Sequence, residues 1–137
     1  MAFAGYLFKV GNYEVDGTRY INWSKYNVTR NVQDLDSYRD ANGVLHRNAL
    51  DHVPLKVEFE TRENLTNADM ATFFGSIQSN YTNATERKAI VTVYVPETDT
   101  YVTQEMYMSD PQFKIKHIEP GTNVIHYESV RVAFIGY

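Results

Sequence analysis

The side chains that could move protons or hold a metal are the histidines His46, His52, His117 and His126 and the carboxylates. No two of the histidines have metal-ligand spacing, and none stands beside an acid in a recognised constellation. His52 precedes an apolar strand pattern, and His117 shares a strand face with Phe113 and Ile115, so both read as satisfied core or surface histidines. Asp34, Asp36 and Asp40 resemble the start of a calcium loop. The glycine and closing Glu that such a loop requires are missing at their offsets, so a solvated loop is the reading. Glu97 and Asp99 flank a turn, which needs only turn-forming residues. No stretch matches a phosphate-cradling glycine loop or a nucleophile elbow, and no carboxylate pair stands out as an acid/base couple. Without cysteine, thiolate catalysis, disulfides and Cys-based zinc sites are excluded. The expectation is a protein that is not an enzyme, with no catalytic, cofactor-binding or metal residues.

Aromatic residues are the compositional excess: 11 Tyr and 7 Phe beside a single Trp. Trp23, Tyr20 and Tyr26 cluster, and Tyr101 and Tyr107 share one strand face. Such rings serve carbohydrate platforms, but exposed tyrosines on sheets also serve oligomer interfaces, which is the favoured reading. Asn-x-Ser/Thr triplets begin at Asn22, Asn27, Asn64, Asn80 and Asn83. They matter only on a secreted chain, and Met1 to Val10 has neither a basic n-region nor a long apolar run, so no signal peptide is expected. No segment has the apolar length that spans a bilayer.

The elements that would position these residues are legible from periodicity. Leu55, Val57 and Phe59 alternate with Lys56, Glu58 and Glu60; Met70, Phe73, Phe74, Ile77 and Tyr81 follow at helical spacing; Ala89, Val91, Val93 and Val95 return to alternation. The helix should run from Asn67 to about Asn80. Thr66 is its N-cap, Asp69 closes a variant capping box, and Leu65 with Met70 forms a staple. Further strands are expected at Phe3 to Val10, at Tyr13 to Val15 before an Asp16-Gly17 turn, and near Lys25, where Tyr26, Val28 and Val32 share a face. Others follow at Lys88 to Val95, Tyr101 to Met108, Gln112 to Ile118 and Ile125 to Ile135. Gln33 to Asp51 is polar, with Asn42-Gly43 as a tight-turn pair near its centre, and reads as a long hairpin standing off the core. Short connections favour antiparallel neighbours. The fold class is therefore mainly β: an antiparallel β-sandwich or small barrel of about eight strands, one flanking α-helix and a long projecting hairpin. All 137 residues form one domain. The formal net charge of −4 argues against non-specific nucleic-acid binding.

The run Ser37-Tyr38-Arg39-Asp40-Ala41-Asn42-Gly43-Val44-Leu45-His46-Arg47 precedes the strand at Leu55, the helix at Thr66 and the strand end Met106-Tyr107-Met108-Ser109-Asp110. In this order it resembles small structural tail proteins of long-tailed bacteriophages, from about Tyr26 to Phe134. The resemblance implies a tail-tube, distal-tail or baseplate ring subunit of the virion, assembled in the host cytoplasm. Such subunits form homo-oligomeric, hexameric rings docked to other tail proteins, and DNA passes through the channel without specific binding. It implies no cofactor, no catalytic residue and no membrane. The loop it singles out as an assembly interface contains Tyr38, Arg39, Asn42, Gly43, Val44, Leu45 and Arg47. The rival reading is a receptor- or glycan-binding β-sandwich of a tail tip or bacterial surface.

Overall fold

The computed structural model describes residues 3–30, 34–49, 51 and 53–137. Val32, Gln33 and His52, which figure in the sequence reading, lie outside the described residues. Twelve strands and two helices follow one another as β1 (Phe8–Val10), β2 (Tyr13–Glu14), α1 (Gly17–Tyr20), β3 (Ile21–Arg30), β4 (Tyr38–Arg39), β5 (Leu45–His46), β6 (Leu55–Thr61), β7 (Leu65–Thr66), α2 (Asn67–Gln78), β8 (Lys88–Val95), β9 (Thr100–Met108), β10 (Ile115–Glu119), β11 (Val124–Tyr127) and β12 (Arg131–Gly136). The main sheet has seven strands in the order β2-β1-β8-β9-β12-β6-β3, every pair antiparallel. A second sheet is β10-β11-β7, and β4-β5 stand alone as a two-stranded ribbon.

Alternation gives each long strand one inward face. On β6, Leu55, Val57 and Phe59 are buried while Lys56, Glu58 and Glu60 stay half-exposed. On β8, Ala89, Val91, Val93 and Val95 are buried in the same way. The main sheet curls until its two ends face each other. Phe8, near one end on β1, stacks on Tyr26 of the opposite edge strand β3 at 6.3 Å between centroids and lies 5.2 Å from Phe59 of β6. The result is a sandwich-like roll around one aromatic-rich core.

A twelve-residue helix is marginal alone in water, so α2 depends on what it covers. Met70, Phe73, Phe74 and Ile77 are buried, each contributing roughly 1.5–3 kcal/mol of transfer free energy. Phe73 is fully buried and meets Tyr20 at 5.0 Å and Phe59 at 6.2 Å, closing one opening of the roll beside the β7 and β11 strands. The expected capping box is present: the Asp69 N–H donates to Thr66 Oγ1 at 3.2 Å, and the Thr66 N–H donates back to Asp69 Oδ2 at 3.2 Å.

Several expectations need correction. The strand expected from Phe3 begins only at Phe8. Asp16-Gly17 is not a hairpin turn: Asp16 caps α1, its Oδ1 accepting from the Thr18 and Arg19 N–H groups at 3.1 and 3.3 Å. β3 begins at Ile21 rather than near Lys25, carrying three extra residues between the pairs Asn22↔Glu60 and Asn27↔Glu58 that bulge outward around Trp23. The single strand expected over 125–135 is two, β11 and β12, split at Glu128–Val130, where the chain changes sheet. There Thr61, buried, accepts the Val130 N–H on its hydroxyl at 2.9 Å, satisfying a backbone donor that the crossing would strand.

Candidate functional site

Arg30 of β3 pairs with Leu55 of β6, and residues 34–49 between them form the expected hairpin. Asp34 bridges to Ala49, Tyr38 faces His46, and Arg39 faces Leu45. The tip is a three-residue loop rather than a two-residue Asn-Gly turn. The Asp40 N–H donates to the Val44 carbonyl at 3.0 Å, and Asp40 Oδ1 accepts from the N–H groups of Asn42 and Val44 at 2.9 and 3.1 Å. With Asp40 binding both of those amides, only Gly43 needs a positive φ (81°), the usual place for glycine in such a loop.

Side chains complete the arm. The Arg39 guanidinium donates to the Gly43 carbonyl at 2.9 Å, and Arg47 grips Asp34 through two nitrogens at 3.2 and 2.9 Å. Tyr38 stacks on His46 at 4.9 Å with ring planes 11° apart, and His46 Nε2 lies 2.9 Å from Asp40 Oδ2. These contacts hold both carboxyl groups below the usual range: His46 is the main cause for Asp40, and Arg47 for Asp34. Asp34 and Asp40, two of the three acids compared above with a calcium loop, thus serve as hairpin fasteners. The arm is ordered by itself, yet across 34–49 only Asp40 is even half-buried. Its apolar groups face water: Leu35 is 52%, Tyr38 59%, Val44 55% and Leu45 45% exposed. An isolated two-stranded ribbon is at best marginally stable, so an arm with solvent-facing apolar groups is suited to being covered. All seven interface candidates from the sequence lie within it.

The base of the arm is held by a residue that sequence reasoning missed. Gln104 of β9 accepts the Leu55 N–H on Oε1 at 3.0 Å and donates from Nε2 to the Val53 carbonyl at 2.9 Å. Gly136 leaves room for this: a Cβ there would sit 2.9 Å from Gln104 Oε1 and about as close to the Leu55 backbone. Beside the arm, β3 pairs only with β6, so among the described residues its outer edge is open over ten residues. Lys25 and Arg30 are exposed on that strand, and Arg30 reaches Glu97 of the β8–β9 turn at 3.7 Å.

The structure separates Tyr20 from the Trp23 and Tyr26 cluster. Tyr20 is buried against Phe73, and Tyr26 lies in the core with its hydroxyl lacking a hydrogen-bond partner among the described residues and its ionisation pushed up by burial. Trp23 remains exposed and shares with Tyr26, Phe3, Leu7 and Val15 the lining of an open cavity of about 360 Å³. Tyr101 fastens the N-terminal segment, accepting from the Ala4 N–H and donating to the Tyr6 carbonyl, both at 2.8 Å. Tyr107 packs on Tyr137 at 5.5 Å. Asp99 accepts the Tyr94 hydroxyl at 2.5 Å. On the far sheet, β10 starts at Ile115 rather than Gln112 and brings His117, Glu119 and, across the hairpin, His126 together. That grouping depends on strand register and had no signal in linear spacing.

A protein-family model described as a family of unknown function, DUF6711, matches residues 1–137. No curated protein matches the chain. Among solved structures, a chain of "Virion of native gene transfer agent (GTA) particle" is similar with TM-score 0.45 and 11% identity, over 90% of this chain and 94% of that one. A likeness of that size leaves function to be argued from this chain's own residues.

Proposed function

We propose that this chain, which belongs to the family of unknown function DUF6711, is a structural subunit of a phage-type tail. It works by self-assembly into a closed, six-copy ring and by docking to other tail proteins, not by catalysis. The observation that carries the reading is the 34–49 arm, fastened internally by Asp34–Arg47 and Asp40–His46 while Leu35, Tyr38, Val44 and Leu45 face solvent. An arm that is built before it is covered loses little conformational entropy on docking. The adjacent open edge of β3 supplies backbone donors and acceptors to the same neighbour. The sequence run from Ser37 to Arg47, with its resemblance to phage tail proteins, supports the same role. Closed symmetry then satisfies a head-to-tail interface without a growing fibre. A net charge of −4 suits a channel through which a polyanion must slide. Among the described residues no helix is long and apolar enough to cross a membrane.

Val44→Asp combined with Leu45→Asp tests this. It should abolish oligomers in sedimentation velocity while the far-UV circular dichroism stays that of the native fold; unchanged oligomers would refute it. A glycan-binding module is the second reading, favoured by the Trp23–Tyr26 cavity. Trp23 is the single tryptophan, so quenching of its fluorescence by a panel of bacterial surface glycans is a direct test of that reading.

A further inference from the structure

The β10–β11 hairpin sets three ligand-bearing side chains on one face. His117 stands opposite His126 in the register, and Glu119, two residues on, is diagonal to His126. The imidazole rings stack with centroids 4.4 Å apart and planes 17° from parallel. One ligand atom from each of the three residues lies within 4.8 Å of the others. A cation held at ~2.0–2.2 Å from each donor sets them roughly 3.3–3.5 Å apart and lies in the plane of each imidazole, so His117 and His126 would leave their stacked arrangement and turn edge-on to the ion.

The surrounding contacts already orient the donors. His126 Nδ1 lies 3.3 Å from the Asn64 carbonyl and Nε2 lies 3.0 Å from Glu119 Oε1; both face acceptors, so both nitrogens donate in this arrangement, and an ion at Nε2 would take the place of its proton. Glu119 Oε2 accepts the Thr122 hydroxyl at 3.2 Å, leaving Oε1 to face the histidine. Metal-binding histidines and carboxylates are typically fixed by outer hydrogen bonds of this kind. The nearest lysine, Lys116, is drawn to Glu63 at 3.5 Å. His117, paired with His126 in the register, puts a second imidazole on the same face, so the His126–Glu119 ion pair has a third donor beside it. We propose that His117, Glu119 and His126 bind one divalent transition cation of the zinc type, with the remaining coordination position left to water. Bound there, the ion ties β10 to β11 and, through Asn64, to the start of β7.

Calorimetric titration of the full chain with zinc chloride in a non-chelating buffer should show one saturable site per chain. His117→Ala and His126→Ala should each weaken it by at least about 10-fold, as should Glu119→Gln, while His46→Ala leaves it unchanged. Zinc should also shift the ring ¹H–¹⁵N signals of His117 and His126 in the unmutated chain and leave those of His46, a readout that does not depend on the variants folding. Absence of saturable binding, unchanged affinity in His126→Ala, or shifts confined to other histidines would overturn the proposal.

Discussion

Removing Asp36 to Arg47 should leave the body folded and destroy assembly. The deletion halves the connection between the paired residues Arg30 and Leu55. Halving a flexible loop lowers its closure cost by about 0.6 kcal/mol. For a chain of this length that corresponds to a rise of roughly 2 °C in Tm. Against it stands, among the described residues, the loss of contacts within the arm, where the Arg47–Asp34 pair is exposed and weakly stabilising and the apolar groups are in water already. The Gln104 bonds to Val53 and Leu55 lie outside the deleted stretch and should survive. A calorimetric melt should therefore place the variant within about 3 °C of the parent. Sedimentation should find it monomeric at concentrations where the parent assembles. A drop in Tm of 10 °C or more would mean that the arm is part of the core; normal assembly would mean that it is not the interface.

Phe73→Ala, at a fully buried ring between Tyr20 and Phe59, should cost about 3–5 kcal/mol in chemical denaturation, a large share of a domain's stability. Thr66→Ala removes the α2 cap and should cost about 1 kcal/mol in the same assay. Tyr26→Phe should stabilise by about 1–3 kcal/mol, since it deletes a buried hydroxyl with no partner among the described residues; a loss of stability would reveal a further bond. The Asp69 carboxyl is held below its ordinary 3.8 chiefly by Arg19, and then by Thr66. Its depressed folded pKa makes its contribution fully present above 3.8 and lost as pH falls through the folded value. The stability gap between the parent and Asp69→Asn should accordingly be constant near neutrality and close on acidification, as followed by urea denaturation across that range.

What the sequence disclosed was what is local. The α2 cap lies within four residues of chain, and β6 and β8 announce themselves by strict alternation, so all three were readable before any tertiary contact was known. The arm was readable too, from its polarity and its glycine, although Asp40 rather than Asn42 organises its tip. α1 was hidden because a four-residue helix has no periodicity and its Asp16 cap uses the same chemistry as a turn. The β11–β12 break left only a slight trace, the adjacent polar pair Glu128-Ser129 at which the apolar phase slips by one residue from Ile125 and Tyr127 to Val130 and Val132, and that slip does not say that the chain changes sheet. The His117–Glu119–His126 group and the Gln104 clamp at the arm's base both depend on which strands pair and in what register. Linear spacing does not carry that.

The central claim is that this chain is a ring-forming tail subunit, and electron microscopy of the purified, assembled protein addresses it most directly. The expected image is a closed six-copy ring with each 34–49 arm lying on the neighbouring copy beside its open β3 edge, around a lumen not lined by Lys and Arg. A particle that stays monomeric at tens of micromolar, or a ring whose lumen is walled mainly by basic side chains, would contradict the account.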